Sequence, residues 1–547
     1  MTEQQADTRL AYWLDQLHKA EKAEYQYRER AKKIVRRYRD ERAEHDKQHR
    51  LNILWSNVQT LTPALYAATP KPQIERRYKD ADPFARQAAF VLERAVATSI
   101  ETGDFDQVMH SCVLDLLLVG RAVARVRYVP VYEEMAEANE GKEIYVGQEK
   151  LACDYVYWED FLHAPARRWP DVSWVAFRNH MTTDELRERF PDMAEECARA
   201  ISRASDGTWQ NAISGKIAVW EIWDKTARQV HWLLDSGQEK YSMLLETRDD
   251  PLQLQDFFPC PPPLLATTSN DQLIPVPDYL LYQDQAIELD VLTSRIQALA
   301  KMIRMRGLYD ASLEPVQRLL GEGGVDGQLI PVEQWNALSQ KGGIDSVISW
   351  LPIERMVQVL GQLYQARDRV KNDLYEITGI ADILRGATIA SETATAQQLK
   401  GRFATLRLGE RQKEVARFSR DLVRLQSELI AEHFSPESLA EMTGLAVVPA
   451  MMELFRNEKI RNWRIGIETD STIAADEFGE KQTRIEFLNA VTGFIKEAAP
   501  LVQAGALPLP IAKAMLLFGV RGFRVGRELE TALESLDQFQ QPAAPGL

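Results

Sequence analysis

The residues of this chain that could do chemistry are scattered rather than assembled. Its eight histidines (His18, His45, His49, His110, His163, His180, His231 and His433) never fall in the HExxH spacing that sets two imidazoles on one helix face for zinc. Cys112, Cys153, Cys197 and Cys260 are far apart and form no CxxC pair. That spacing argues against a disulfide framework or structural zinc and fits a reducing compartment. Carboxylate pairs such as Glu133–Glu134 and Glu195–Glu196 are what helix surfaces routinely produce. GEGGVDG (321–327) does not match GxGxxG, and Gly141–Lys142 is followed by Glu143, so no GxxxxGK(S/T) phosphate cradle exists. The glycine cluster reads as a flexible loop. A GxSxG nucleophile elbow is absent too. The residues therefore point away from an enzyme, and no cofactor or metal is expected.

Cations remain. RAKKIVRRYR (30–39) is basic on several helix faces, inside a first 50 residues that hold 13 Lys/Arg and 10 Asp/Glu. It could contact nucleic acid or a neighbouring subunit, but mixed charge at helical spacing favours a solvated helix. Arg385 stands alone as the only basic residue between Lys371 and Lys400. A guanidinium is a planar donor well matched to phosphate. The competing reading pairs Arg385 with Asp382 or Glu392.

The elements that must carry these residues follow from periodicity. Leu289, Leu292, Ile296, Leu299 and Ile303 form one helical stripe, and Ile353, Val357, Leu360 and Tyr364 a second. A third begins with Leu399, Phe403 and Leu406 and resumes with Val415, Phe418, Leu422, Leu425 and Leu429. The spacing predicts helices over 279–306, 352–378 and 391–433, with Pro352 in a first turn, Gly379 as a stop and Ser391 as an N-cap. Narrow stripes with no adjacent sheet pattern predict packing against copies of the same chain. Upstream, 51–67 and 83–119 read as helical, and TPKPQ (69–73) reads as a stop. Alternation predicts strands at 122–132, 150–158 and 172–180, a hairpin at 217–234, and a strand at 460–470. Trp158, Trp169, Trp174, Trp209, Trp220, Trp223 and Trp232 are expected to fill a core rather than stack on bases. Residues 477–541 read as helical with breaks at Pro500 and Pro508–Pro510.

At 547 residues, 45% hydrophobic and 27% charged, the chain is long enough for several domains with a sizeable core. Its net charge of −14 argues against general adhesion to nucleic acid. The run Val113–Val119 is interrupted by Asp115 and too short to span a bilayer, so no membrane partner is expected. The polar N-terminus shows no signal peptide, and the protein reads as soluble and intracellular when made.

Several segments carry a resemblance. GIADILRG (379–386), SETATAQQ (391–398) and GRFATLRL (401–408) resemble the portal, or head-to-tail connector, protein of tailed bacteriophages of the podovirus type. So do RIQALAK (295–301), RGLYD (306–310), DFFPCPPP (256–263), YLLYQDQAIELD (279–290) and IETDSTI (467–473). The likeness spans most of the chain but lies in texture and order, not in a catalytic signature. It implies an α+β, mainly α, portal fold assembling as a closed ring of about twelve subunits around a central DNA channel. Residues 1–50 would be a charged helical segment, 51–275 the wing, 276–306 and 352–378 the stem, and 307–351 the clip. Residues 379–392 would be the tunnel loop and 393–476 the long wing helix with its returning strand. A helical crown would occupy 477–541, ahead of a disordered tail at 542–547.

In that frame double-stranded DNA would pass Arg385, Lys301, Arg304, Arg306, Arg369 and Lys371. Trp335, Trp350, Glu314 and Arg318 in the clip would dock the terminase large subunit and a tail adaptor. Major capsid and scaffolding proteins would be further partners, and the location would be the portal vertex of a virion made in the host cytoplasm. An acidic chain suits a passage along which DNA slides, because each neutralised phosphate adds grip. The alternative is a cytosolic coiled-coil scaffold with no DNA role, and a metal-dependent nuclease would need an acidic cluster.

Overall fold

The computed structural model describes residues 3–42, 49–76, 83–135, 143–197, 199, 216–236, 242–303, 307–309, 348–350, 353–380, 394–456, 463–467, 477–503, 511–512 and 515–516. It divides into two units, Met1–Glu468 and Thr469–Leu547. The architecture is mixed α/β and largely helical. No helix of the described residues is long and apolar enough to cross a membrane.

The larger unit opens with α1 (Glu3–Tyr38) and α2 (Ile53–Leu65). Asn52 caps α2 by accepting from the Trp55 N–H at 3.2 Å. The TPKPQ stretch does more than end that helix. Pro72 starts β1 (Pro72–Arg76), where a missing N–H is tolerated at a first strand residue. The apolar run 83–119 is two helices, α3 (Pro83–Thr102) and α4 (Phe105–Leu118), divided at Gly103 and Asp104.

Gly120 turns the chain with φ +80, and a Cβ there would lie 3.3 Å from Pro277 Cα. It launches β2 (Arg121–Met135), paired antiparallel with β3 (Glu143–Val156). The alternation at 150–158 thus revealed only the second half of a longer strand. Next come β4 (Phe161–His163), β5 (Trp174–Met181), α5 (Thr183–Arg189), β6 (Ile217–Asp224), β7 (Gln229–Leu234) and β8 (Met243–Asp249). The five strands form one antiparallel sheet in the order β4-β5-β6-β7-β8. The spacing missed β8, whose sequence MLLETRD does not alternate cleanly. β9 (Leu264–Leu265) joins β2, while β10 (Thr267–Ser269) and β11 (Gln272–Val276) pair with each other. Trp158, Trp174, Trp220, Trp223 and Trp232 are buried as expected of a core. Trp169 is half-buried, and Trp209 lies outside the described residues.

α6 (Tyr279–Met302) ends one residue before Ile303 rather than at Arg306. β12 (Gly307–Tyr309) and β13 (Ile348–Trp350) pair antiparallel at the ends of the insert. α7 (Glu354–Thr378) follows, then α8 (Ala394–His433), α9 (Pro436–Thr443), α10 (Pro449–Arg456) and β14 (Trp463–Ile467). β14 pairs antiparallel with β1, from Pro72↔Ile467 to Arg76↔Trp463.

Two apolar cores result. One gathers α2, α3, α4, α6 and α8, where Val415, Phe418, Leu422, Leu425 and Leu429 are at most 2% exposed. Each such side chain contributes roughly 1.5–3 kcal/mol by leaving water. The other lies against the five-stranded sheet. The N-terminal helix is not the solvated rod its composition suggested. Trp13, Leu14, Leu17 and Ala20 of α1 enter the sheet core, while Tyr27, Ala31 and Ile34 enter the helical one. In the smaller unit, α11 (Glu477–Gln503) runs through Pro500, so the break expected there does not occur, and Pro508–Pro510 lie outside the described residues.

Candidate functional site

The clearest unsatisfied surface belongs to the pair α6 and α7. The two helices pack side by side, one leading into the insert and one leaving it. Their stripes meet different fates. On α6, Leu289, Leu292 and Ile296 are buried in the protein's own interior. That half of the expectation, an apolar stripe left for neighbouring copies, does not hold. On α7 part of the stripe stays open: Val357 is 50% and Tyr364 41% exposed, Ile353 and Leu360 are half-buried, and burial begins only at Val370 and Leu374. Beyond Ile296 on α6 and before Val370 on α7, no described residue is buried. The first 16 residues of α7, 354–369, would by themselves extend about 24 Å. This stalk carries Met302, Met356, Val357 and Val359, each at least 41% exposed.

Charge on the stalk is of both signs. Arg295, Lys301 and Arg369 are exposed, and Lys371 is half-buried. Arg367 stacks over Tyr364 at 5.0 Å and lies 3.8 Å from Asp368. Arg304, Arg306, Arg385, Trp335, Glu314 and Arg318 lie outside the described residues. So do Asp382, Ser391 and Glu392. Trp350 is placed by its backbone opposite Gly307. The described cations are thus brought onto one helix pair.

The base of the stalk is tied to α8. Gly379 ends α7 in the left-handed region at φ +69, and its N–H donates to the Tyr375 carbonyl. A Cβ at Gly379 would come within 2.9 Å of Arg407 Cδ. Arg407 of α8 in turn donates to the Ile377 carbonyl at 3.4 Å. Arg411 of α8 pairs with Asp278 at the start of α6. These clasps join residues more than 25 positions apart, so no local spacing signals them.

Comparison with protein-family models and with curated proteins gives no match for this chain.

A second cluster escaped the sequence reading. Arg121 of β2 is fully buried and forms a two-pronged pair with Glu24 of α1, one prong at 2.9 Å. It also donates to the Trp158 carbonyl at 3.0 Å. Arg28 reaches Glu24 at 3.1 Å and the Glu159 and Phe161 carbonyls. Burial alone would push the Glu24 carboxyl up; the Arg121 charge and hydrogen bond, helped by Arg28, outweigh it and hold the group at about 2. His163 Nδ1 lies 2.9 Å from the Ala164 carbonyl, and burial pushes this imidazole down.

Asp115 on α4 is also buried and accepts from the Tyr155 hydroxyl at 2.5 Å. Burial raises it to about 7, against the smaller opposing effects of that bond and of Arg121. No group of His, Cys, Asp and Glu among the described residues could hold a metal ion.

Proposed function

We propose that this chain is the subunit of a portal-type ring, with DNA passing through a central channel during packaging and ejection. The observation that carries the reading is the stalk of α6 and α7, on which Met302, Met356, Val357 and Val359 stay exposed among the described residues. A surface of that kind is an association surface. The order of elements supports the same reading: helix, insert, helix, short connection, very long helix. It matches the order on which the resemblance in 279–408 rests.

In this reading the insert 307–351 faces the outside of the shell. It docks the terminase large subunit during filling and a tail adaptor afterwards, and ATP is hydrolysed by the terminase. The capsid and scaffolding proteins meet the body of the ring at one vertex of the virion. The stalk charges of both signs line part of the passage.

Light scattering on the purified full chain tests the proposal. The expected mass is near twelve times 62.4 kDa, or that of a neighbouring ring size, with a central hole in negative stain. A monomer that persists at micromolar concentration under every salt condition overturns it.

A further inference from the structure

A closed ring of identical subunits needs two different faces on each copy that fit one another head to tail. Among the described residues, internal ion pairing leaves exposed patches of both signs on the larger unit, a basic ridge on α1 and an acidic corner at α5 among them. On α1, Lys19 is taken by Asp15, Lys32 by Glu29 and Glu159, Arg28 by Glu24 and Arg37 by Asp290. Lys22, Arg30, Lys33 and Arg36 are exposed and have no such partner among the described residues. Lys22, Lys33 and Arg36 fall on one side of the helix, spread over about 21 Å at its rise per residue. Opposite them, Tyr27, Ala31 and Ile34 are buried, so the ridge is held firmly.

The counterpart is the α5 corner. There Arg187 is taken by Asp184 at 3.1 Å, Arg189 by Glu246 at 3.2 Å and Arg199 by Glu195 at 3.4 Å. Glu188, Asp192 and Glu196 stay exposed without a cation. Leu186 and Phe190 are buried beneath them, and a capping box of Thr182 and Glu185 fixes the helix start.

The N-terminal part of α1 and the end of α5 pack on opposite faces of the five-stranded sheet, while the ridge itself is backed by the helical core. Trp13 of α1 packs 6.0 Å from Trp174 and 5.4 Å from His231. Register puts His231 opposite Ile222 and Ile222 opposite Ala176, so these residues share a face with Trp174. Arg189, at the end of α5, stacks over Trp232 at 5.2 Å. Trp232 pairs with Glu221 and Glu221 with Phe177, which belong to the other face.

Resting on the ring reading above, we propose that the basic ridge Lys22–Lys33–Arg36 docks on the acidic corner Glu188–Asp192–Glu196 of a second copy of this chain. A head-to-tail step of one subunit carries each patch toward its opposite. The chain as a whole is at −14, which makes another copy an abundant anionic partner for the ridge. Salt screens exposed charges, so assembly should weaken as ionic strength rises.

The test uses the full chain in three forms. Lys22→Glu/Lys33→Glu/Arg36→Glu reverses the ridge, Glu188→Lys/Asp192→Lys/Glu196→Lys reverses the corner, and the third form combines both sets. Light scattering should show each reversal alone falling toward 62.4 kDa and the combination regaining the assembled mass. Circular dichroism should report all three as folded. Assembly that tolerates both reversals removes this contact and leaves the ring intact. Loss without rescue in the combined form overturns the pairing. Should the ridge reversal instead lose binding to a duplex DNA probe while assembling normally, the occupant is nucleic acid and the proposal falls. An unmodified chain that never assembles defeats the ring reading itself.

Discussion

Glu24 of α1 is buried between Arg28 and Arg121. It faces two guanidiniums where water cannot reach. Replacing it by Ala leaves Arg121 buried and uncompensated, at a cost of roughly 3–5 kcal/mol. Urea unfolding should show the midpoint of Glu24→Ala well below that of the unmodified protein. A shift worth under about 1 kcal/mol would mean that water or a shifted side chain compensates Arg121. The folded Glu24 carboxyl sits at about 2, below its ordinary 4.5. The stability it contributes is complete above that ordinary value and lost as pH falls toward 2. Asp115 has the opposite sign. Its folded value near 7 lies above its ordinary 3.8. Its contribution is present at acid pH and fades as pH climbs through 7, with a slope of up to about 1.4 kcal/mol per pH unit between. Asp115→Asn keeps an acceptor for Tyr155 and removes the titration. Melting temperatures should therefore rise more on this substitution at pH 8 than at pH 5; equal gains would show that Asp115 does not titrate in that window. Neither residue was legible in the sequence. Glu24 looked like one more charge in a mixed run, and Asp115 like an interruption in an apolar one. Burial of a charge depends on what lies across from it, and Arg121 is 97 positions from Glu24.

Elements were far more legible, because their periodicities are local. The helices at 279–302, 354–378 and 394–433 follow from 3.6-residue spacing, and Gly379 was recognisable as a stop because an αL cap favours glycine. The errors have physical causes. TPKPQ carries two prolines, and its strand is decided by a partner at 463–467. β8 is held by register with β7 rather than by its own alternation. The stripe on α6 is covered from within, because α2 and α4 supply the same helical core. For α7 part of the stripe stays open, and a prediction follows. Val357→Asp with Tyr364→Asp changes exposed positions, where substitutions usually move stability by under about 0.5 kcal/mol. The monomer fold should survive by circular dichroism, while the assembled mass falls. Assembly at full mass would show that the stalk stripe makes no subunit contact. The proposed channel cations were legible only as charges on helices, since the lumen is a property of several copies and no single sequence position encodes it.

At the scale of the molecule, α1 is the organising piece. One helix enters both apolar cores, pairs through Arg37 with Asp290 of α6, and presents its free cations outward. The sequence revealed its length and charge but not its reach, because amphipathicity under a heavy charge load is hard to read. The mixed α/β class was readable from the alternation of patterns. A boundary was expected between 476 and 477, and the division into a larger and a smaller unit falls between Glu468 and Thr469.

The pairing of β1 with β14 sets a timetable for synthesis. Arg76 leaves the ribosome long before its partner Trp463 exists. At 5–20 residues per second the wait is on the order of 20–80 s. Through that interval β1 is an open edge, able to pair with a neighbouring nascent chain. Crowded polysomes, where nascent copies lie side by side, would be the setting where such mispairing is most frequent. Pro72 and the charges Glu75 and Arg76 are features that blunt an edge. On this view they protect the strand while it waits, and the finished body is closed by nearly the last residues of the larger unit to be made.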